Sequence, residues 1–257
     1  MNSSLLNLNK WFVCPQASPA AETRLFLFPY AGGGPAAFHK WLSGLPDSIE
    51  ARIAHYPGRG SRHAEAPVKQ IGTLAEHLLL AMQPLLDKPF ALFGHSLGAL
   101  VAFELAHRLR RNGLLQPQIL FVSACGAPHL SDPHPPIHSL PAGDFIGALQ
   151  QLNGIPSELL HQPEAMQLLL PIVRADFEAI ENHVHSPKEL PLDFPIVAFG
   201  GLDDPRVRPE HMEGWSLHTS AEFHSQYYPG DHFFIHTAGE VVIAALAATL
   251  RSIYAKN

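Results

Sequence analysis

One short run limits what this chain can fold into more than any other: Gly94-His95-Ser96-Leu97-Gly98. It follows the apolar stretch Phe90-Ala91-Leu92-Phe93 without a gap. It leads straight into a helix expected over Leu97–Arg111, which Asn112-Gly113 stops. A strand that passes into a helix through Gly-x-Ser-x-Gly makes a sharp turn with the serine at its apex. The backbone there is strained, and the two glycines remove side chains that would collide across the turn. The serine hydroxyl is left exposed at the carboxyl edge of a sheet, facing the positive end of the helix.

The rest of the chain supplies that sheet. After an irregular lead-in over 1–24, Leu25-Phe26-Leu27-Phe28 reads as a strand buried on both faces. Ala31-Gly32-Gly33-Gly34 follows, then a helix that starts at Pro35. A second strand fits Ala51 to Tyr56 and closes at Pro57-Gly58-Arg59-Gly60. Ile71, Leu74, Leu78 and Leu79 give a helical pattern over 68–86, and Ile119 to Ser123 is the strand after the serine helix. From about 126 to 190 no strand is evident. Pro, His and Asp crowd 127–141, and helical patterns occupy 143–152 and 164–182. Strands return at 195–199 and 222–228, and an aliphatic helix closes the chain over 238–254. The expected class is α/β, a mostly parallel sheet with helices on both faces. With the serine turn it becomes an α/β-hydrolase fold: one domain of 257 residues, with its core at about 25–125 and 191–257 and a helical lid inserted at about 126–190.

A serine hydroxyl needs a base to act as a nucleophile at neutral pH. On this fold the chain order is Ser, then Asp or Glu, then His. The acid is expected after the late strand, at Gly200-Gly201-Leu202-Asp203-Asp204-Pro205. Asp204 is preferred because Pro205 sets a turn directly after it, and Asp203 is assigned to capping the loop. The histidine is expected in Pro229-Gly230-Asp231-His232-Phe233-Phe234. His232 follows the glycine turn and is preferred over His236, which falls at the start of the closing helix. An oxyanion needs two backbone donors. The amide of Leu97 is one, and Ala31, in the loop after the first apolar strand, is chosen for the other. Removing one such donor typically costs ~3 kcal/mol of transition-state stabilisation.

Composition excludes several classes. A formal net charge of −6 leaves no basic nucleic-acid footprint and no attraction to anionic membranes. No apolar run reaches membrane-span length, and the start Met1-Asn2-Ser3-Ser4 is a poor signal peptide, so a cytoplasmic protein is expected. Cys14 and Cys125 have no metal-type spacing and are read as two reduced thiols. The 17 histidines are scattered; His134/His138 and His183/His185 are the closest sets, and neither has a third ligand at a convincing interval. No metal site is expected.

Several separate segments resemble those of the stand-alone type II thioesterases that accompany nonribosomal peptide and polyketide synthases. They are Leu27-Phe-Pro-Tyr-Ala-Gly-Gly33, Tyr56-Pro-Gly-Arg-Gly60, Phe93-Gly-His-Ser-Leu-Gly98, Leu170-Pro-Ile-Val-Arg-Ala-Asp-Phe177, Gly201-Leu-Asp-Asp-Pro205 and Pro229-Gly-Asp-His-Phe-Phe234. The resemblance implies hydrolysis of acyl or aminoacyl groups from the phosphopantetheine arm of acyl or peptidyl carrier proteins, to clear mischarged or stalled carriers. It implies a triad at Ser96, Asp204 and His232, oxyanion amides at Ala31 and Leu97, no metal or organic cofactor, and action as a monomer. One departure stands out: the family usually has Tyr near the position of His183, where this chain reads Glu181-Asn-His-Val-His185. Arg174 and Asp176 are read as an ion pair within the lid, ahead of substrate contact, and Arg59 as a loop residue beside the active face, either contacting a carrier or its phosphate or serving a surface or structural role. A general carboxylesterase or lipase, a carrier-to-carrier acyltransferase and an inactive carrier-binding hydrolase fold are the competing readings.

Overall fold

In the computed structural model, which describes residues 10–154, 161–186 and 189–254, the apolar runs stand side by side in a 7-stranded sheet of order β1-β3-β2-β4-β5-β6-β7. The strands are β1 (Phe12–Val13), β2 (Thr23–Phe28), β3 (Ile49–Ala54), β4 (Phe90–His95), β5 (Leu120–Ser123), β6 (Ile196–Gly201) and β7 (Phe223–Tyr228). Neighbours run parallel except β1, which pairs antiparallel with β3 through Phe12 and Ala54. β1 lies inside the lead-in read as irregular; two residues are too few to show an alternation.

The α-helices among the described residues are α1 (Ile71–Met82), α2 (Leu97–Arg111), α3 (Ala142–Gln151), α4 (Pro163–Glu181), α5 (Pro209–Glu213), α6 (Phe234–Thr237) and α7 (Gly239–Tyr254). The helix expected from Pro35 is a 3-10 helix, Pro35–Gly44. The one expected over 68–86 stops as α-helix at Met82 and ends in a 3-10 turn, Gln83–Leu85. Pro84 has no N–H to continue the ladder and forces that change.

Alternation along the strands sends side chains to two separate clusters. Phe26, Phe28, Leu92 and Val122 pack on α1 and α2 through Leu78, Val101 and Leu105. Leu25, Leu27, Phe93 and Phe121 pack on Phe38 and Trp41 of the 3-10 helix and on Val242 and Leu246 of α7. That is why β2, β4, β5 and β6 are mostly apolar: each is buried along its whole length, with Thr23, Arg24, His95 and Ser123 the polar residues at their ends.

A third, smaller cluster joins α3 to α4 through Phe145, Leu149, Met166, Val173 and Phe177, with Ala31 packed against it. The loop before α3 is fastened to α4 by polar side chains. The Glu181 carboxylate, on a side chain only 5% exposed, accepts hydrogen bonds from the amides of Ile137 (2.8 Å) and His138 (3.0 Å). Arg174 donates to the carbonyls of His138 and Leu140 and lies 4.2 Å from the ring centre of Phe145. The expected Arg174–Asp176 pair is therefore not formed. The two residues are two apart on a helix and point to different faces, so each finds a partner elsewhere.

Candidate active site

β4 delivers Ser96 and α2 begins at Leu97. Ser96 has φ 55 and ψ −117, a conformation that a non-glycine residue holds only when its surroundings impose it. The surroundings do. A Cβ on Gly94 would stand 2.1 Å from the carbonyl oxygen of Gly98, and one on Gly98 would stand 2.0 Å from that of Phe28. Both glycines are obligatory at this close crossing.

β6 ends at Gly201, and the next turn sets Asp204 below the surface while Asp203 stays exposed. Asp204 Oδ1 accepts from the amides of Arg206 (2.8 Å) and Val207 (3.1 Å), so Asp204 caps its own loop, the task expected of Asp203. Its Oδ2 lies 2.8 Å from His232 Nδ1, and His232 Nε2 lies 3.1 Å from Ser96 Oγ. A carboxylate can only accept, so His232 donates from Nδ1. With that proton on Nδ1, a neutral ring leaves Nε2 as the acceptor that faces Ser96 Oγ. Burial works to raise the Asp204 carboxyl, but the hydrogen bond and charge of His232 with the two amides hold it below the usual carboxylate range. His236 points elsewhere, its Nε2 2.9 Å from the hydroxyl of Tyr30.

His95 carries a part that its motif does not spell out. The ring is fully buried, with Nε2 2.9 Å from the carbonyl of His232 and Nδ1 2.8 Å from Ser123 Oγ. It ties the serine turn to the backbone of the histidine loop. The x position of Gly-x-Ser-x-Gly accepts many residues, so only the buried geometry reveals this role.

Ala31 and Leu97 both border the same chamber as Ser96 and His232. Neither amide donates a hydrogen bond to another described residue. The chamber measures about 200 Å³. Leu100, Leu149, Val173, Phe177 and Ile180 form apolar walls, and Glu181, His183, Arg206 and His211 add polar groups. Cys125 also borders it, but burial pushes its thiol up to about 12, so it stays protonated beside the serine. Arg59, placed by the sequence in a loop beside the active face, is buried and bound to Asp176, which fits the structural role among those open to it. A guanidinium placed there is out of reach of a carrier's phosphate. Among the described residues no group of three or more His, Cys, Asp or Glu side chains is placed to hold a metal ion. No described helix is long and apolar enough to cross a membrane.

Residues 23–250 match the thioesterase domain family. The chain belongs to the thioesterase family. This thioesterase is 40% identical over 248 residues to the gramicidin S biosynthesis protein GrsT of Aneurinibacillus migulanus, covering 96% of each chain. It is 40% identical over 255 residues to a protein of Brevibacillus parabrevis named linear gramicidin dehydrogenase LgrE, covering 98% of this chain and 97% of that one. Among solved structures it resembles YbtT, a type II thioesterase from the yersiniabactin NRPS/PKS biosynthetic pathway. The TM-score is 0.84 and the identity 30%, over 95% of this thioesterase and 99% of that chain. It is a hydrolase that acts on thioesters, on the α/β-hydrolase fold.

Proposed function

We propose that this thioesterase removes acyl or aminoacyl groups from the phosphopantetheine arm of carrier proteins in a nonribosomal peptide or polyketide synthase system. Ser96 is the nucleophile, His232 the general base and acid, and Asp204 the residue that orients the imidazole. The observation that carries the reading is the unbroken chain from Ser96 Oγ to His232 (3.1 Å) to Asp204 (2.8 Å) at the edge of a mostly apolar chamber. Ser96 Oγ attacks the thioester carbonyl carbon as its proton passes to His232 Nε2. The carbonyl oxygen becomes an anion between the amides of Ala31 and Leu97. Collapse of this intermediate breaks the carbon–sulfur bond, and the carrier thiolate leaves with the proton from His232. Water, deprotonated by His232, then attacks the acyl-serine and releases the acid. The chain can supply each of these steps from its own groups. The helices α3 and α4, in the segment 126–190, roof the chamber as a lid on a single hydrolase core.

The dehydrogenase name of one relative suggests hydride transfer, which calls for a glycine turn that cradles a pyrophosphate. The glycine turn here is already occupied: the amide of Gly32 donates to the carboxylate of Asp176 at 2.7 Å, so that N–H is not open to a phosphate. The test is turnover of an acyl-loaded carrier domain beside a simple ester of the same acyl group. The carrier is expected to be cleaved faster, with free acid as the product. Ser96→Ala is expected to lose roughly 10⁴-fold or more in kcat. Full activity in that variant would overturn the mechanism. An ester preference would point to a general esterase, and acyl transfer to a second thiol would point to a transferase.

A further inference from the structure

The turn that carries the Ala31 amide is held by groups that never touch the reacting atoms. Residues 30–33 form a tight turn in which the amide of Gly33 donates to the carbonyl of Tyr30 at 2.9 Å. Gly32, at its third position, has φ +76, the left-handed value that a type II turn requires there. The carbonyl of Tyr30 and the N–H of Ala31 belong to one planar trans peptide and point in opposite directions. Fixing that carbonyl inside the turn therefore aims the Ala31 N–H outward.

Two buried charges stabilise this turn from outside. Asp176 Oδ2, on α4, accepts the amide of Gly32 at 2.7 Å. Arg59 Nη1 donates to the carbonyl of Gly33 at 3.1 Å. The two side chains also clasp each other at 2.8 and 2.9 Å, and their exposures are 6% and 1%. Arg59 is held in turn by its own loop. Its Nε donates to the carbonyl of Pro57 at 3.3 Å, and His55 Nε2 lies 2.9 Å from its carbonyl oxygen. Two fully desolvated ions persist when every donor and acceptor is used, and here both ions spend part of that capacity on the glycine turn. Asp176 sits on the lid helix, whose Val173 presses to within 2.8 Å of where a Gly32 Cβ would stand.

We propose that Arg59 and Asp176 are positioning residues for the oxyanion donor, and that they make its geometry depend on the seat of α4. With α4 seated, the peptide between Ala31 and Gly32 is turned so that its N–H meets Asp176, and the Ala31 amide is aimed into the chamber. With α4 lifted, Gly32 loses its acceptor and the turn is free to relax, so the enzyme hydrolyses only beneath a closed roof. This rests on the reading of Ser96, His232 and Ala31 given above.

The test pairs Asp176→Asn and Arg59→Lys with the unaltered enzyme on a soluble acyl-pantetheine thioester. A trifluoromethyl ketone of the same acyl chain forms a hemiketal oxyanion on the serine and serves as the second probe. A misplaced donor is expected to lower kcat roughly 10- to 100-fold with KM nearly unchanged. Affinity for the ketone should fall by the same factor, while affinity for the plain acid, which forms no oxyanion, holds. Lost kcat with unchanged ketone affinity would overturn the proposal, as would full kcat in a folded variant. Should Asp176→Asn fail to fold, Arg59→Lys, which keeps the charge but not the fork, carries the comparison. An unaltered enzyme that cleaves no thioester, or that loses nothing on Ser96→Ala, would instead count against the underlying mechanism.

Discussion

The imidazole of His95 has no access to solvent, yet both of its nitrogens are used. A carbonyl cannot donate, so Nε2 carries the proton to His232 and Nδ1 accepts the hydroxyl proton of Ser123. Burial first, and then the neighbouring charge of His232, keeps this ring neutral far below the ordinary histidine value. His95→Ala would leave a buried carbonyl and a buried hydroxyl without partners, at about 1–3 kcal/mol each. The expected outcome is a lower melting temperature and a kcat reduced at least tenfold, since the His232 loop loses its tie to the serine turn. Thermal melts beside steady-state kinetics check it. Unchanged kcat would mean that the loop holds its own geometry.

At the level of elements, the lid loop and α4 behave as one piece because Glu181 and Arg174 bind the loop backbone. Glu181→Ala removes the acceptor for two amides. It is expected to raise KM several-fold, to leave kcat less affected, and to expose 127–141 to limited proteolysis. A KM and a cleavage pattern like those of the unaltered enzyme would refute it. Much of this level was readable beforehand. The apolar strands and the helices over 97–111, 142–151 and 163–181 announce themselves through period and through punctuation by Gly, Pro and Asn. That Ser96, Asp204 and His232 would lie together was readable too, because a strand-to-helix turn and a fixed chain order restrict where they lie. The partner of Asp176 was not. Arg59 is 117 residues away, and pairing over that distance depends on tertiary packing, which leaves no local pattern. The same holds for β1, which exists only because the edge of β3 is there to receive it.

Across the whole molecule, charge and pH meet in a group of histidines packed around Phe103 and Trp215. His107 and His218 are pushed from 6.5 down to about 4, by burial first and then by Arg110 and His185 respectively. His185 is lowered by burial as well. Glu104 pulls His107 the other way, and Glu189 also lies 3.2 Å from it, so His218 gives the cleaner signal. Below 6.5 the unfolded chain binds protons that the folded chain refuses, so stability falls as pH drops and levels off near 4. A fully titrated shift of this size is worth about 3 kcal/mol. The carboxylates Glu50, Asp132 and Asp204 are held low, and their contribution is lost only as pH falls below 4.5 for the glutamate and 3.8 for the aspartates. Urea unfolding at pH 7.5, 6 and 5 is expected to show the decline; a flat profile would refute it.

The sheet also keeps its two apolar clusters from meeting, since alternate side chains of one strand serve opposite sides. Neighbours within one cluster share partners and cavities, so substitutions there couple; residues on opposite sides share only the backbone between them. Changes behind the serine helix and changes under the closing helix therefore sum almost independently. A variant weakened on one side can be repaired on the other, which gives this fold two nearly separate accounts of mutational tolerance.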